Sequence, residues 1–298
     1  LEVPPAPMTS WYRWLLAIRP KTLGISVTPV LVGNCLAWSV LGSIEWVTAL
    51  ATLLAAMLIQ IGTNLYNDAL DFERGTDPAT RLGPKRATAE GWFRAHDVKR
   101  AAHGSFAAAF AVGCYLAWVG GWPIVAIGIL SLLAGYGYTG GLKPIAYSAT
   151  GELFVFLFFG LFAVGGSFYV QTLTLSLETF TAASAIGLLA SAVLLVNNYR
   201  DLETDRLTDK ITLVYYLGDE NSKRLFGLLL ILPFALPMLL SGAAWQPWLV
   251  LFSAPTAVGL IHRFTTLERG PGFKEILADT AKLQLLFGIL IGIGIVFR

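Results

Sequence analysis

Aspartate is concentrated in two short runs of this chain. Asp68, Asp71 and Asp77 fall in NDALDFERGTD at 67–77, and Asp201, Asp205 and Asp209 fall in or just beyond NNYRDLETD at 197–205. Residues four apart share one face of a helix, so Asn67 with Asp71, and Asn197 with Asp201 and Asp205, form two polar stripes. Asn64 and Asp68 form a similar pair one step around. Two carboxylates about 6 Å apart at an effective dielectric near 20 repel by roughly 3 kcal/mol, and several converging groups multiply that burden. A divalent cation relieves it. Oxygen donors with no accompanying cluster of His or Cys select Mg²⁺, which is held by a few carboxylates together with phosphate oxygens.

Basic residues lie close enough in sequence to complete an anion site. Arg74, Arg81, Lys85 and Arg86 follow the first run, Lys143 sits in the facing loop, and Arg200, Arg206 and Lys210 surround the second. Carboxylates, a metal and guanidinium groups together describe a diphosphate site, because a diphosphate bridges metals on one side and accepts charged hydrogen bonds on the other. The chain has no Walker-type loop, so nucleoside triphosphate hydrolysis is not indicated. For any single Lys or Arg, solvation of a helix end is the commoner role. For paired aspartate stripes it is not, since crowded carboxylates beside hydrocarbon are costly.

The elements that must position these groups are membrane helices. Of 298 residues, 55% are hydrophobic and 13% charged, and the mean hydropathy is +0.65, outside the balance of a soluble domain. Apolar runs recur at roughly 22–42, 46–66, 101–119, 122–139, 153–171, 179–197, 225–241, 246–262 and 280–297, each near the length that crosses about 30 Å of hydrocarbon. The sequence therefore predicts an all-α, polytopic bundle of nine transmembrane helices around a central cavity that opens to the cytoplasm, built as one domain over 1–298. With the N-terminus inside, all of the 21 Lys and Arg except Arg298 fall on the cytoplasmic side, which fixes the topology by the positive-inside rule. The C-terminus is then outside. Residues 1–20 carry no long apolar core and read as a cytoplasmic segment.

The expected outer loops are short, and the long cytoplasmic connections at about 72–100 and 198–224 both begin acidic and continue basic. This weak repeat pairs Asn67 and Asp71 with Asn197 and Asp201, and places a site between the two halves. Cys35 and Cys114 read as free thiols within helices. The net charge of +2 says little by itself, but its distribution makes the expected cytoplasmic face basic, which suits anionic lipid headgroups or an anionic substrate; no nucleic-acid partner is expected. Intramembrane acids and repeated halves also mark cation-coupled transporters, and that class stays open at this point.

Five stretches carry a specific resemblance: RPKTLGISVTPVLVG at 19–33, NLYNDALDFERGTD at 64–77, RLGPKRAT at 81–88, GSFYVQ at 166–171 and NNYRDLETDRLTDKITL at 197–213. Together they resemble the UbiA superfamily of intramembrane aromatic prenyltransferases over nearly the whole chain. The RPKTL, RLGPxR and NNxRDxxxDxxxxKxTL patterns are most similar to the branch that prenylates 1,4-dihydroxy-2-naphthoate in menaquinone biosynthesis.

The resemblance implies a plasma or inner-membrane enzyme. It would join a polyprenyl diphosphate to 1,4-dihydroxy-2-naphthoate, losing CO₂ and diphosphate to give demethylmenaquinol. It implies Mg²⁺ held by Asp68, Asp71, Asp77, Asp201 and Asp205, and substrate contacts from Asn64, Asn67, Asn197, Asn198, Arg19, Lys21, Arg81, Lys85, Arg86, Arg200, Lys210 and Tyr138. Lys143 joins the expected catalytic groups. Hydroxybenzoate-prenylating relatives have Asp where Gly75 stands here, and this branch places its acid at Asp77 instead. Val214, Tyr215, Tyr216 and Leu217 depart from the usual basic sequence after KITL. Other acceptors within the superfamily, such as 4-hydroxybenzoate, homogentisate or a lipid, remain alternatives.

Overall fold

The computed structural model describes residues 9–76, 86–241 and 246–297; the side chains of Lys21, 237–241, 246 and 247 fall outside that description. Asp77, Arg81 and Lys85 also lie outside the described residues. The described residues are helical, with no strand among them. After the short α1 (Ser10–Ala17) come α2 (Pro20–Leu41), α3 (Trp46–Glu73), α4 (Ala95–Gly120) and α5 (Trp122–Gly137). The chain continues through α6 (Gly151–Val155), a π-helical stretch (Phe156–Phe162) and α7 (Ala163–Thr172), which follow one another without a break. The remaining helices are α8 (Leu177–Arg206), α9 (Leu213–Ser241), a 3-10 stretch (Gln246–Ser253) leading into α10 (Ala254–Thr266), and α11 (Phe273–Val296).

Among the described residues, six helical segments are long and apolar enough to cross a membrane: Thr22–Leu41, Trp46–Glu73, Ala95–Gly120, Gly151–Thr172, Leu177–Arg206 and Phe273–Val296. α5 is a shorter apolar helix. The last two predicted spans before the C-terminal one fall on α9, which has a non-helical break at Gly218 (φ 68°), and on the 3-10 stretch with α10.

α8 is the axis of the bundle. In its most apolar window 72% of residues are buried, against 22% for α3 and for α4. Its neighbours are α9, α11 and the π-helical stretch, while α3 packs along α4, and α2 against α11 and α7. One contact is unusually close: a Cβ on Gly160 would lie 2.6 Å from the Ala183 carbonyl oxygen and 2.8 Å from Gly187 Cα. Two glycines thus let the π-helical backbone lie directly against α8.

The apolar run of α3 ends near residue 66, but the helix continues through the acidic stripe to Glu73, and α8 likewise continues to Arg206. The first acidic run is therefore helical through Glu73 and the second throughout, so the stripes of Asn67 with Asp71 and of Asn197 with Asp201 and Asp205 are real faces. Cys35 and Cys114 are free thiols.

Candidate functional site

The two stripes border one cavity of about 690 Å³. Its polar end is lined by Arg19, Asn64, Asn67, Asp71, Arg86, Tyr138, Asn197, Arg200 and Lys210, and most of the rest is walled by apolar residues of α3, α4, α5 and the π-helical stretch, including Ile59, Ile127, Leu132 and Phe158, with uncharged polar side chains such as Thr52, Gln60 and Ser131 among them. Among the described residues, the charged side chains of the lining are four bases and one acid. An anionic head with a long apolar tail matches that division.

Asp71 is the hub of the α3 side. Its Oδ2 accepts from Asn67 Nδ2 at 3.1 Å, the i to i+4 bond that the spacing predicts, and pairs with Arg86 at 2.7 Å. Its Oδ1 accepts from the Tyr147 hydroxyl at 2.6 Å. Arg86 also donates to the Asn67 carbonyl at 2.9 Å, and Asn67 reaches Thr139 Oγ1 at 2.8 Å. Burial, and then the charge of Asp71, push the Tyr147 phenol up to about 12, so it stays a donor. Asn64 lies deeper and donates to the Ile18 carbonyl at 3.0 Å and to Thr22 Oγ1 at 3.2 Å. It thereby ties α3 to the α1–α2 corner, where Arg19 holds a left-handed backbone (φ 57°). Non-glycine residues seldom adopt that conformation, so the corner that aims Arg19 is specified by its surroundings.

On α8, Arg200 grips its own neighbour. Its Nε and NH2 donate to the two oxygens of Asp201 at 2.7 and 2.6 Å, and NH2 also donates to Asn197 Oδ1 at 2.9 Å. Lys210 pairs with Asp205 at 3.0 Å. Asn198 turns to the other side and donates to Glu152 at 2.9 Å.

Several expected residues sit elsewhere. Asp68, expected as a ligand, is not among the lining residues; its carboxylate accepts instead from the backbone N–H of Ala87 at 2.8 Å and of Thr88 at 3.1 Å, and from the Thr88 hydroxyl. Lys143 is exposed and does not line the cavity. The chain swings outward there at Gly141 (φ 78°), and Thr139 is the loop residue that meets Asn67. Asn198, Asp201 and Asp205 are not among the lining residues, although Asp201 and Asp205 pair with Arg200 and Lys210, which are. Lys21 opens α2, with its side chain outside the described residues.

Glu152 and Thr88 were not anticipated, nor was the bond from Tyr147 to Asp71. Glu152 is buried, and its Oε2 has no hydrogen-bond partner among the described residues. A lone acid opening an apolar span is itself a signal, since intramembrane carboxylates are rare.

Among the described residues no three His, Cys, Asp or Glu converge on one point. The donor chemistry nevertheless fits a hard cation: Asp71, Asp201 and Asp205 offer oxygen alone, and Mg²⁺ completes such sets with phosphate oxygens and water. Each of these acids is held by a base that could equally face a phosphate.

Residues 26–274 match the model of the UbiA prenyltransferase family. The chain belongs to that family. It is 37% identical to 1,4-dihydroxy-2-naphthoate octaprenyltransferase of Escherichia coli over 95% of this chain and 94% of the relative. It is 35% identical to the enzyme of the same name from Mycobacterium tuberculosis, over 97% and 99% respectively. The fold matches that of a UbiA homologue from Archaeoglobus fulgidus bound to DMAPP and Mg²⁺, with a TM-score of 0.70 at 14% identity, over 96% of this chain and 99% of that one.

Proposed function

We propose that this chain transfers a polyprenyl group from its diphosphate to 1,4-dihydroxy-2-naphthoate, releasing diphosphate and CO₂ to form demethylmenaquinol. The observation that carries the reading is the division of the cavity: Arg19, Arg86, Arg200 and Lys210 at one end, hydrocarbon-like walls along the rest. Chains at least 30% identical over nearly their full length, named as naphthoate octaprenyltransferases, support the same acceptor.

The diphosphate is seated at the basic end and the prenyl chain lies along the apolar wall. As the bond between C1 and the bridging oxygen breaks, its electron pair leaves with the diphosphate. The guanidinium and ammonium groups already stand where that charge grows, a preorganised electrostatic contribution to the departure of the diphosphate. Mg²⁺, held by Asp71, Asp201 and Asp205 with Asp77, Asn67 and Asn197 nearby in sequence, would supply further charge stabilisation of the leaving group. The ring carbon bearing the carboxylate bonds to C1, and the carboxylate departs as CO₂, its bonding pair restoring the aromatic ring. Atoms and charge then balance without a proton acceptor at that carbon. Tyr138, which lines the polar end, offers an aromatic face to the allylic cation.

We place the enzyme in a plasma or inner membrane as one prenyltransferase domain, crossing nine times with the N-terminus cytoplasmic and the C-terminus outside. Membrane lipid is its solvent and polyprenyl diphosphate reaches it from there. The test is an assay of purified protein with a polyprenyl diphosphate and each of 1,4-dihydroxy-2-naphthoate, 4-hydroxybenzoate and homogentisate, with and without Mg²⁺. Metal-dependent product with the naphthoate alone is the expected result. Preference for another acceptor, or no diphosphate release with any of them, would overturn the assignment.

A further inference from the structure

α3 carries two buried aspartates three positions apart, at 1% and 6% exposure for Asp68 and Asp71. A helix turns about 100° per residue, so their side chains leave the axis about 60° apart. Only Asp71 reaches the cavity. Asp68 enters a compact turn made of residues 86–93, which is closed on itself by bonds from Glu90 N to the Arg86 carbonyl at 2.9 Å, Gly91 N to the Thr88 carbonyl at 3.0 Å and Trp92 N to the Ala87 carbonyl at 2.9 Å. Ala87 packs with Leu65, Tyr66, Ala69 and Val98, and the Trp14 ring stacks on Phe93 at 4.1 Å.

Inside this knot the Asp68 carboxylate is saturated. Oδ2 takes the Ala87 N–H, Oδ1 takes the Thr88 N–H and hydroxyl, and the Thr88 hydroxyl also lies 3.1 Å from the Asp68 carbonyl. The residue immediately before this cradle is Arg86, which turns back over α3 to reach Asp71 at 2.7 Å and the Asn67 carbonyl at 2.9 Å. One aspartate thus fastens the backbone of the turn and the other receives its guanidinium.

We propose that Asp68 is a positioning residue for Arg86 and does not ligate a metal. Its charge is spent on backbone N–H groups of the turn, and a carboxylate already accepting three donors in a buried site has no incentive to exchange them for a cation one helical face away. This rests on the proposed diphosphate transfer for its kinetic consequence, and on the turn alone for its structural one. Displacing the turn moves Arg86, which belongs to the diphosphate end of the cavity.

Thr88 makes the proposal testable, since it touches Asp68 and does not line the cavity. Asp68→Asn, Thr88→Val and Thr88→Ser are compared with the native chain in three measurements: the KM for prenyl diphosphate, the Mg²⁺ concentration giving half-maximal rate, and hydrogen exchange across 86–93. The expected result is that Asp68→Asn and Thr88→Val each raise the KM for prenyl diphosphate about tenfold, the scale of one lost charge-assisted hydrogen bond, with the Mg²⁺ requirement changed less than twofold. Both should lose amide protection at Ala87 and Thr88, and Thr88→Ser should keep the native values. A tenfold rise in the Mg²⁺ requirement for Asp68→Asn beside a native Thr88→Val would make Asp68 a ligand and overturn the proposal. Unchanged exchange in Thr88→Val would overturn it as well, and does so even if the native chain shows no transferase activity, in which case it is the proposed reaction that has failed. Should Asp68→Asn not fold, Thr88→Val carries the comparison.

Discussion

The Tyr147 hydroxyl donates to Asp71 Oδ1 at 2.6 Å, joining the 138–150 loop to the last turns of α3 across a separation of 76 residues. The same loop is fastened again where Arg74 sits over the Tyr147 ring, with its Cζ 5.3 Å from the centroid, and where Thr139 receives Asn67. The carboxylate that faces the cavity is therefore aimed from three sides, by Arg86, Asn67 and Tyr147.

A pH dependence follows from this bond. Tyr147 releases its proton at about 12 in the folded protein, above the ordinary value near 10. The folded state thus holds that proton more tightly than the unfolded chain does, and the resulting stability is fully present below about pH 10 and lost as pH rises toward 12. Tyr147→Phe should remove this part of the alkaline destabilisation, read as the difference between native and variant melting temperatures from pH 9 to 12. It should also lower kcat/KM about tenfold, because Asp71 loses a donor that orients it.

Asp201 and Arg200 form a fork between neighbouring residues whose side chains are 3% and 2% exposed. Removing one charge leaves the other buried without its counter-ion, which costs about 3–5 kcal/mol. Asp201→Asn should therefore lower stability measurably as well as abolish turnover. The double variant Arg200→Met with Asp201→Leu should recover most of the melting temperature and none of the activity. Equal losses in the single and double variants would show that the pair contributes by its shape.

Lys143 stands outside the cavity, on the solvent side of the loop turn at Gly141. Lys143→Ala is expected to leave the KM for prenyl diphosphate within about twofold, as ordinary surface substitutions do. Arg200→Ala measured in parallel should raise it at least tenfold.

The approach of the π-helical stretch to α8 leaves no room for a side chain at Gly160. Gly160→Ala should cost about 1–3 kcal/mol, read as a lower thermal midpoint in detergent. It should also weaken prenyl diphosphate binding, because Phe158, Phe159 and Phe162 on this segment line the cavity.

What the sequence shows of this site is what local periodicity can encode. The bond from Asn67 to Asp71 follows from helical spacing, and the common orientation of the two acidic ends follows from the distribution of Lys and Arg. Arg86, Arg200 and Lys210, which line the cavity, stand close to the acidic runs in sequence. Contacts between distant segments have no such signature. Asp68 belongs to the same motif as Asp71 and shares its chemistry, yet its partners stand about 20 positions away, and nothing in the spacing tells which of two helical faces meets the cavity. Glu152 meets Asn198 across 46 residues. The π-helical stretch reads as an ordinary apolar run, since its composition is that of an α-helix and only the Gly160 to Gly187 approach distinguishes it.

Each acid at the polar end arrives with a base from its own chain: Arg86 for Asp71, Arg200 for Asp201, Lys210 for Asp205. These charges are nearly balanced before any ligand is present, so the membrane does not have to accept naked carboxylates while the protein is being made. Folding of this end of the bundle therefore does not depend on a bound cation to neutralise its acids.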